Sequence, residues 1–160
     1  MGLTPRHKML AFYGVTTTEN NTATVTYHRM KKFTSMNQNK NPQEYSRKYV
    51  DEPTQRTDVT GYAPQIDYGF DKYSGDPVLT DIVGITNNEA VGEDAVRPII
   101  LVDVETGEAT KRDYAVIPGN EGDDANVYTY SGSFKANGNI VKGTATSSDD
   151  WQTITFAETT

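Results

Sequence analysis

Cysteine is absent from this chain of 160 residues, and histidine occurs only at His7 and His28. Without cysteine the chain has no disulfide framework, no thiolate metal site and no cysteine nucleophile. The two histidines lie far apart in the sequence, and neither belongs to a nucleophile or metal-binding motif. A glycine-rich phosphate loop is also lacking. We therefore expect no enzymatic activity, no catalytic residue, no metal and no cofactor.

Long apolar runs are lacking as well. None approaches the ~18 consecutive apolar residues of a membrane span, so we expect no membrane partner. Only 35% of the residues are hydrophobic, but ten Tyr, five Phe and one Trp supply large side chains for burial. This aromatic content argues against disorder and favours a single domain over residues 1–160.

Positive charge is scarce outside the first part of the chain. Residues 1–50 hold eight Lys or Arg against two acids, whereas residues 51–160 hold seven against twenty, for a net charge of −7. Oppositely charged parts of one chain can pair within the fold or between copies of it. An ordinary solvated surface is the alternative.

The segment Gly61–Tyr73, GYAPQIDYGFDKY, alternates apolar or aromatic residues with small or polar ones. This period of two predicts a strand with one buried and one wettable face. Pro64 cannot donate to a sheet ladder and Gly69 weakens a strand, which predicts a sheet edge or a bulge.

Two segments before this strand have few apolar anchors. Residues 1–22 are interpreted as an extended N-terminal arm, followed by a strand that begins at Thr22 and continues to Phe33. The polar segment Asn37–Thr57 contains the alternating stretch EYSRKYV. This stretch predicts a solvent-facing strand or a long hairpin-like loop, and elaborated loops in small domains usually contact a partner.

The rest of the chain is β apart from one helix. Asp76 and Pro77 form a helix start, and apolar residues then recur at helical spacing. Pro98–Val104 is apolar apart from Asp103, which favours a central strand. It pairs with Lys111–Ile117, and Asn137-Gly138 predicts a second tight hairpin. The fold class is therefore mainly β: an antiparallel β-sandwich or barrel with one short flanking α-helix.

Acidic loops and one basic aromatic stretch leave further functions open. The loop Gly119–Asp124 resembles a calcium ligand set, but its order departs from the EF-hand, so a solvated loop is preferred. A hydrolase built on acidic pairs such as Asp123-Asp124 ranks last, because their loops lack the hydrophobic setting that raises a carboxyl pKa. The stretch YSRKY interleaves bases with aromatics, as single-strand binders do, but the chain is acidic overall.

The middle and end of the chain resemble the major tail proteins, or tail tube proteins, of long-tailed phages of Gram-positive bacteria. The resemblance covers about Phe33 to Phe156 and matches least over the N-terminal arm. It rests, in order, on FTSMNQNKNPQEYSRKYVDE, TDVTGYAPQIDYGFDKYSGDPV, DAVRPIILVD and YTYSGSFKANGNIVKGTATSSDDWQTITF.

The resemblance implies a structural virion protein, made and assembled in the host cytoplasm and located in the tail. Such subunits form hexameric rings that stack into the tube for DNA ejection, with the tape measure, tail terminator and distal tail proteins as further partners. On this sequence the extended loop at residues 37–57 is the candidate bridge between rings, with contacts from Tyr45, Arg47, Lys48 and Tyr49.

An acidic wall would let DNA pass without specific binding, because like charges repel its phosphates. Asp67 and Asp71 are the candidate lumen-facing residues. The alternative function is a non-enzymatic β-sandwich binding module, either a capsid decoration protein or a carbohydrate binder with contacts from Tyr128 or Tyr130.

Overall fold

The computed structural model describes residues 2–122 and 124–159. They form eleven strands, one α-helix and two short 3-10 helices, Arg6–Lys8 and Gly92–Ala95. The strands and the helix are β1 Met9–Glu19, β2 Thr22–Arg29, β3 Phe33–Asn39, β4 Pro42–Arg47, β5 Arg56–Tyr62, β6 Gln65–Asp71, α1 Pro77–Asn88, β7 Val96–Asp103, β8 Glu108–Glu121, β9 Thr129–Ala136, β10 Val141–Thr146 and β11 Thr153–Glu158.

Nine of the strands make one antiparallel sheet in the order β10-β11-β2-β1-β7-β8-β9-β6-β3. Strand β10 also pairs with the first half of β8, so six strands close into a small barrel. The second half of β8 instead pairs with β9, and β9, β6 and β3 continue the sheet away from the barrel. The expectation of a mainly β fold of the sandwich or barrel type with one α-helix is confirmed.

The strands bury side chains on two sides of the barrel wall. On β1, Phe12 and Tyr13 belong to different apolar clusters, and on β7 so do Ile99 and Ile100. The run from Pro98 to Val102 is continuously apolar because β7 is covered on both faces. It is the fifth of the nine strands, which confirms the predicted central position. The barrel interior contains Phe12, Ile100, Val102, Ala109, Ala145 and Ile154.

The helix α1 packs against β1, β2 and β8 of the barrel. Its predicted start is confirmed, since the Asp76 carboxylate accepts hydrogen bonds from the backbone N–H groups of Val78 and Leu79. The Tyr13 hydroxyl donates to Asp81 on the helix at 2.5 Å, and Arg97 Nε donates to the same carboxylate oxygen at 2.9 Å. Burial is the largest cause that raises the pKa of Tyr13, so this hydroxyl remains a neutral donor.

The interpretation of residues 1–22 as an arm is wrong for most of that segment. Residues 9–19 form β1, which lies between β2 and β7 and buries Phe12 and Tyr13 completely. Two large side chains on opposite faces are enough to fix the strand inside the sheet. Beyond Tyr13 the partner β7 is lost, so only the outer half of the β1–β2 hairpin projects. Strand β2 ends at Arg29, short of the predicted Phe33.

The segment Gly61–Tyr73 is not one strand but is divided between the end of β5 and β6, and only β6 has the predicted alternation, without the predicted edge position. Ile66, Tyr68 and Phe70 are buried, yet β6 is paired with β3 on one side and β9 on the other. The open edge belongs to β3, and the irregularity in pairing lies in β3 opposite Gly69. Pro64 does not weaken β6, because it sits in the kink that separates β6 from β5.

The hairpin predicted at Asn137-Gly138 does not form. Strand β9 pairs with β8 and β6, whereas β10 pairs with β11 and the start of β8. Neither Asn137 nor Gly138 has the positive φ that a two-residue hairpin turn needs. The backbone N–H of Asn137 donates instead to Asp113, so the segment is a crossover between the two halves of the fold.

Closure of the barrel depends on glycine at position 143. A Cβ there would collide with the Ala157 carbonyl oxygen and lie 2.7 Å from the Phe156 ring. We expect Gly143→Ala to destabilise the fold by about 1–3 kcal/mol, as overpacking does. In Gly138→Ala, the matched control, the new Cβ meets its nearest neighbour, Asp113 Cβ, at 3.6 Å. Urea unfolding of both variants checks this, and equal midpoints would contradict it.

Candidate assembly surfaces

The most prominent surface feature is the hairpin formed by β4 and β5. The two strands form a separate two-stranded sheet that continues the β3–β6 pair beyond a kink at residues 40–41 and 63–64. The backbone N–H of Ala63 donates to the carbonyls of Lys40 and Asn41, which holds the two backbone segments together at the kink. The hairpin contributes no residue to either buried cluster. It therefore extends from the body rather than packing on it.

The tip of the hairpin is ordered by its own side chains. Arg47 pairs with Asp58 across the strands, donates from Nε to the Tyr49 hydroxyl and lies 5.0 Å from the Tyr45 ring centroid. Glu52 pairs with Arg56 through two hydrogen bonds of 2.7 and 3.0 Å. These contacts pre-organise the tip, which lowers the entropy lost when it binds a partner.

The four predicted contact residues are thus brought together by one hairpin, but they differ in availability. Tyr45, Lys48 and Tyr49 are exposed. The Arg47 side chain is only 24% exposed, because it is paired with Asp58 within the hairpin. The sequence missed Val50, which the turn leaves fully exposed at the outermost point. Its only signal was an apolar residue directly before the acidic pair Asp51-Glu52.

The predicted lumen residues lie on the outward face of the β3–β6–β9 sheet, here called the polar face. Asp67 on β6 is exposed between Asn37 on β3 and Ser133 on β9, and it accepts a hydrogen bond from Gln65 at 2.6 Å. Asp71 is half-buried, opposite Thr129. The central rows of this face carry only small or polar side chains, namely Ser35, Asn37, Asp67, Gly69, Ser131 and Ser133.

A groove that the sequence did not predict lies between the start of β1 and the start of β3. It has a volume of about 720 Å³ and contains the charged residues Arg6, Arg29, Lys31 and Lys32 together with His7. We call it the basic groove. Separate segments, residues 6–11 and 29–36, supply its walls. The sequence signal was the positive charge of the first fifty residues, but that charge does not reveal which bases meet.

The carboxylates of the acidic loops accept hydrogen bonds from residues close to them in the chain. Hydrogen bonds from Thr153, and then from Ser147, lower the pKa of Asp149 to about 2, the opposite of what a general acid needs. Asp124 accepts hydrogen bonds from the backbone N–H groups of Asn126 and Val127. Asp123, part of the possible calcium loop and acidic pair, lies outside the described residues. Within residues 2–122 and 124–159, no group of three His, Asp or Glu could hold a metal ion.

The proposed carbohydrate contacts are not equivalent. Tyr128 is 48% exposed, but Tyr130 is buried and stacks on Phe70 with ring centroids 5.4 Å apart. Tyr130 is therefore a core residue and cannot contact a sugar, which corrects that part of the expectation. The basic groove contains one aromatic side chain, Phe33, rather than a row of them.

Comparison with protein-family models and with curated proteins finds no match. Among solved structures, a chain of the six-fold symmetrised cryo-EM structure of the anti-feeding prophage baseplate aligns with 89% of this chain and 97% of its own length. The TM-score is 0.48 and the sequence identity is 5%. A similarity of this level carries no functional information. In the described part of the chain, no helix has the length and apolar character needed to cross a membrane.

Proposed function

We propose that the protein is a structural subunit of a phage tail tube, without enzymatic activity. Copies of the chain assemble into hexameric rings, and the rings stack into the conduit through which DNA is ejected. The protein resides in the virion tail after assembly in the host cytoplasm. Its further partners are the tape measure, tail terminator and distal tail proteins, as the sequence resemblance implies.

The observation that carries this proposal is the β4–β5 hairpin. An isolated two-stranded hairpin is at best marginally stable in water, yet this one is long, organised at its tip and detached from both cores. It also exposes large apolar residues at its tip and along β5: Tyr45, Tyr49, Val50, Val59 and Tyr62. Such a ribbon is suited to lie on another copy of the chain, and we assign it to the bridge between rings.

The open edge of β3 supports assembly within a ring. Among the described residues, this strand of seven residues pairs with β6 alone, and it carries no charged residue or proline, the usual protections of an exposed edge. A strand from a neighbouring copy can therefore extend the sheet by main-chain hydrogen bonds.

The polar face is suited to line the tube. Small side chains leave the lumen smooth, and Asp67 and Asp71 place negative charge on the same face of one strand. Repulsion between these carboxylates and the phosphates of DNA would prevent sticking during ejection.

Self-association is the property to measure. Purified protein should form rings and short tubes in negative-stain images as its concentration rises, with or without a crowding polymer. Sedimentation velocity on the same samples should show loss of monomer. A single monomeric species at every concentration, together with the absence of rings and tubes from the images, would refute the proposal.

A further inference from the structure

The basic groove concentrates positive charge on a chain that is acidic overall. Among the described residues that line it, none carries a carboxylate. Several of its bases have only weak internal partners: Lys31 donates to Gln152 at 3.0 Å, and Lys32 lies 5.0 Å from the Tyr73 ring centroid. Besides Thr34 and Ser35, its remaining lining is apolar, namely Met9, Leu10, Ala11, Met30, Phe33 and Met36. The groove therefore suits a segment that combines negative charge with an apolar side chain.

This chain carries such a segment at Asn88–Ala95, between α1 and β7, here called the acidic knuckle. Glu89, Glu93 and Asp94 are exposed there, and Val91 between them is 78% exposed. The adjacent base, Arg97, donates to the backbone carbonyl of Asp94 at 3.0 Å, but its ion pair is with Asp81 outside the knuckle.

The groove and the knuckle lie at opposite ends of strand β7. The knuckle leads directly into Val96, where β7 begins. At the other end Asp103 is opposite Met9, and the backbone N–H of Val104 donates to the carbonyl of Lys8 beside the groove. Seven residue steps of about 3.3 Å separate these ends by roughly 23 Å. Because of this separation, one copy can offer its groove and its knuckle to two different copies.

We propose that the basic groove of one copy binds the acidic knuckle of the next copy, with Val91 inserted among the apolar lining residues. The contact is heterologous, so it leaves one groove and one knuckle free at the ends and propagates. A nucleic acid is the competing occupant. It matches the groove less well, because a phosphate backbone offers no apolar anchor and the twenty acids of residues 51–160 repel it.

The inference rests on the proposed self-assembly and names one of its contact surfaces. Two reversed variants test it: Arg6→Glu, Lys31→Glu and Lys32→Glu together in the groove, and Glu89→Lys, Glu93→Lys and Asp94→Lys together in the knuckle. Juxtaposed like charges cost several kcal/mol, so each variant alone should raise the critical concentration for assembly at least about tenfold. Lys72→Glu with Lys142→Glu also replaces bases by acids, but outside the groove, the knuckle and the polar face, and this control should assemble as wild type does.

Mixing the two reversed variants is the decisive step. Each acidic groove then meets a basic knuckle and each basic groove meets an acidic knuckle, so the equimolar mixture should assemble near the wild-type concentration. A mixture that remains as dispersed as its components would overturn the inference. The groove would instead be assigned to nucleic acid if wild type binds a labelled single-stranded oligonucleotide, the groove variant does not, and the mixture of the two reversed variants fails to assemble.

These outcomes are separable from those of the proposed function. If wild type forms tubes and both reversed variants do so equally well, the groove contact is wrong and the tube stands. If wild type forms no tubes but the two reversed variants pair in sedimentation velocity, the contact stands and the tube is wrong.

Discussion

Excision of the β4–β5 hairpin is expected to leave the body folded and to abolish assembly. Replacing residues 42–62 with a single Gly creates the sequence Lys40-Asn41-Gly-Ala63. This is a suitable two-residue turn, because Asn41 already has a φ of 44° and the Ala63 N–H already donates to the Lys40 carbonyl. The melting temperature should stay close to wild type, since the hairpin supplies nothing to either core. Negative-stain images should contain no tubes.

Point variants at the tip refine this result. Val50→Asp places a charge where the outermost apolar side chain is fully exposed, and Thr54→Asp introduces the same charge on the same tip. We expect the first to weaken assembly and the second to leave it nearly unchanged. Tubes of normal length from the excised protein would rule out the hairpin as the bridge between rings.

Phe134→Ala is expected to have the largest effect on stability. The side chain is fully buried and stacks on Tyr68, with ring centroids 4.5 Å apart, while Tyr13 lies 6.4 Å away. Its removal leaves a cavity between the barrel and the β6–β9 sheet, for which phenylalanine truncations cost about 3–5 kcal/mol.

Ser133→Ala is the matched control for this substitution. Its side chain is on the polar face of the same strand, next to the buried position. We expect a change within about 0.5 kcal/mol, as for other surface substitutions. Urea unfolding checks both values, and a Phe134→Ala effect below about 1 kcal/mol would contradict the assignment of this ring to the centre of the core.

Local periodicity was sufficient to predict β6, β7 and α1, but not β1, which buries Phe12 and Tyr13 in the segment interpreted as an arm. The alternation in Gly61–Tyr73 correctly identifies Ile66, Tyr68 and Phe70 as buried, and Asp76 correctly marks the start of the helix. The continuous apolar run of β7 correctly indicates a central strand, because only a strand covered on both faces needs it.

The pairing of the strands could not be predicted in the same way. Asn137-Gly138 is a strong local turn signal, but β8 is long enough to pair with β9 over one half and with β10 over the other. The position of β6 was missed for a similar reason, since its neighbours β3 and β9 come from distant parts of the sequence. Local signals are overridden where burial against a distant strand gains more than a tight turn does.

The candidate surfaces also differ in whether local sequence was enough to predict them. The hairpin is continuous in sequence, so Tyr45, Arg47, Lys48 and Tyr49 could be grouped without a structure. The basic groove is lined by residues 6–11 and 29–36, and only the folded chain shows that the basic side chains of these two segments line the same groove.

Cryo-EM of the assembled protein is the most direct test of the central claim that this chain polymerises into a tail tube. The predicted reconstruction has six-fold rings, hairpins that cross from one ring to the next, and Asp67 and Asp71 on the lumen wall. Assemblies without a central channel, or a channel lined by another face with the hairpins free in solvent, would contradict the account.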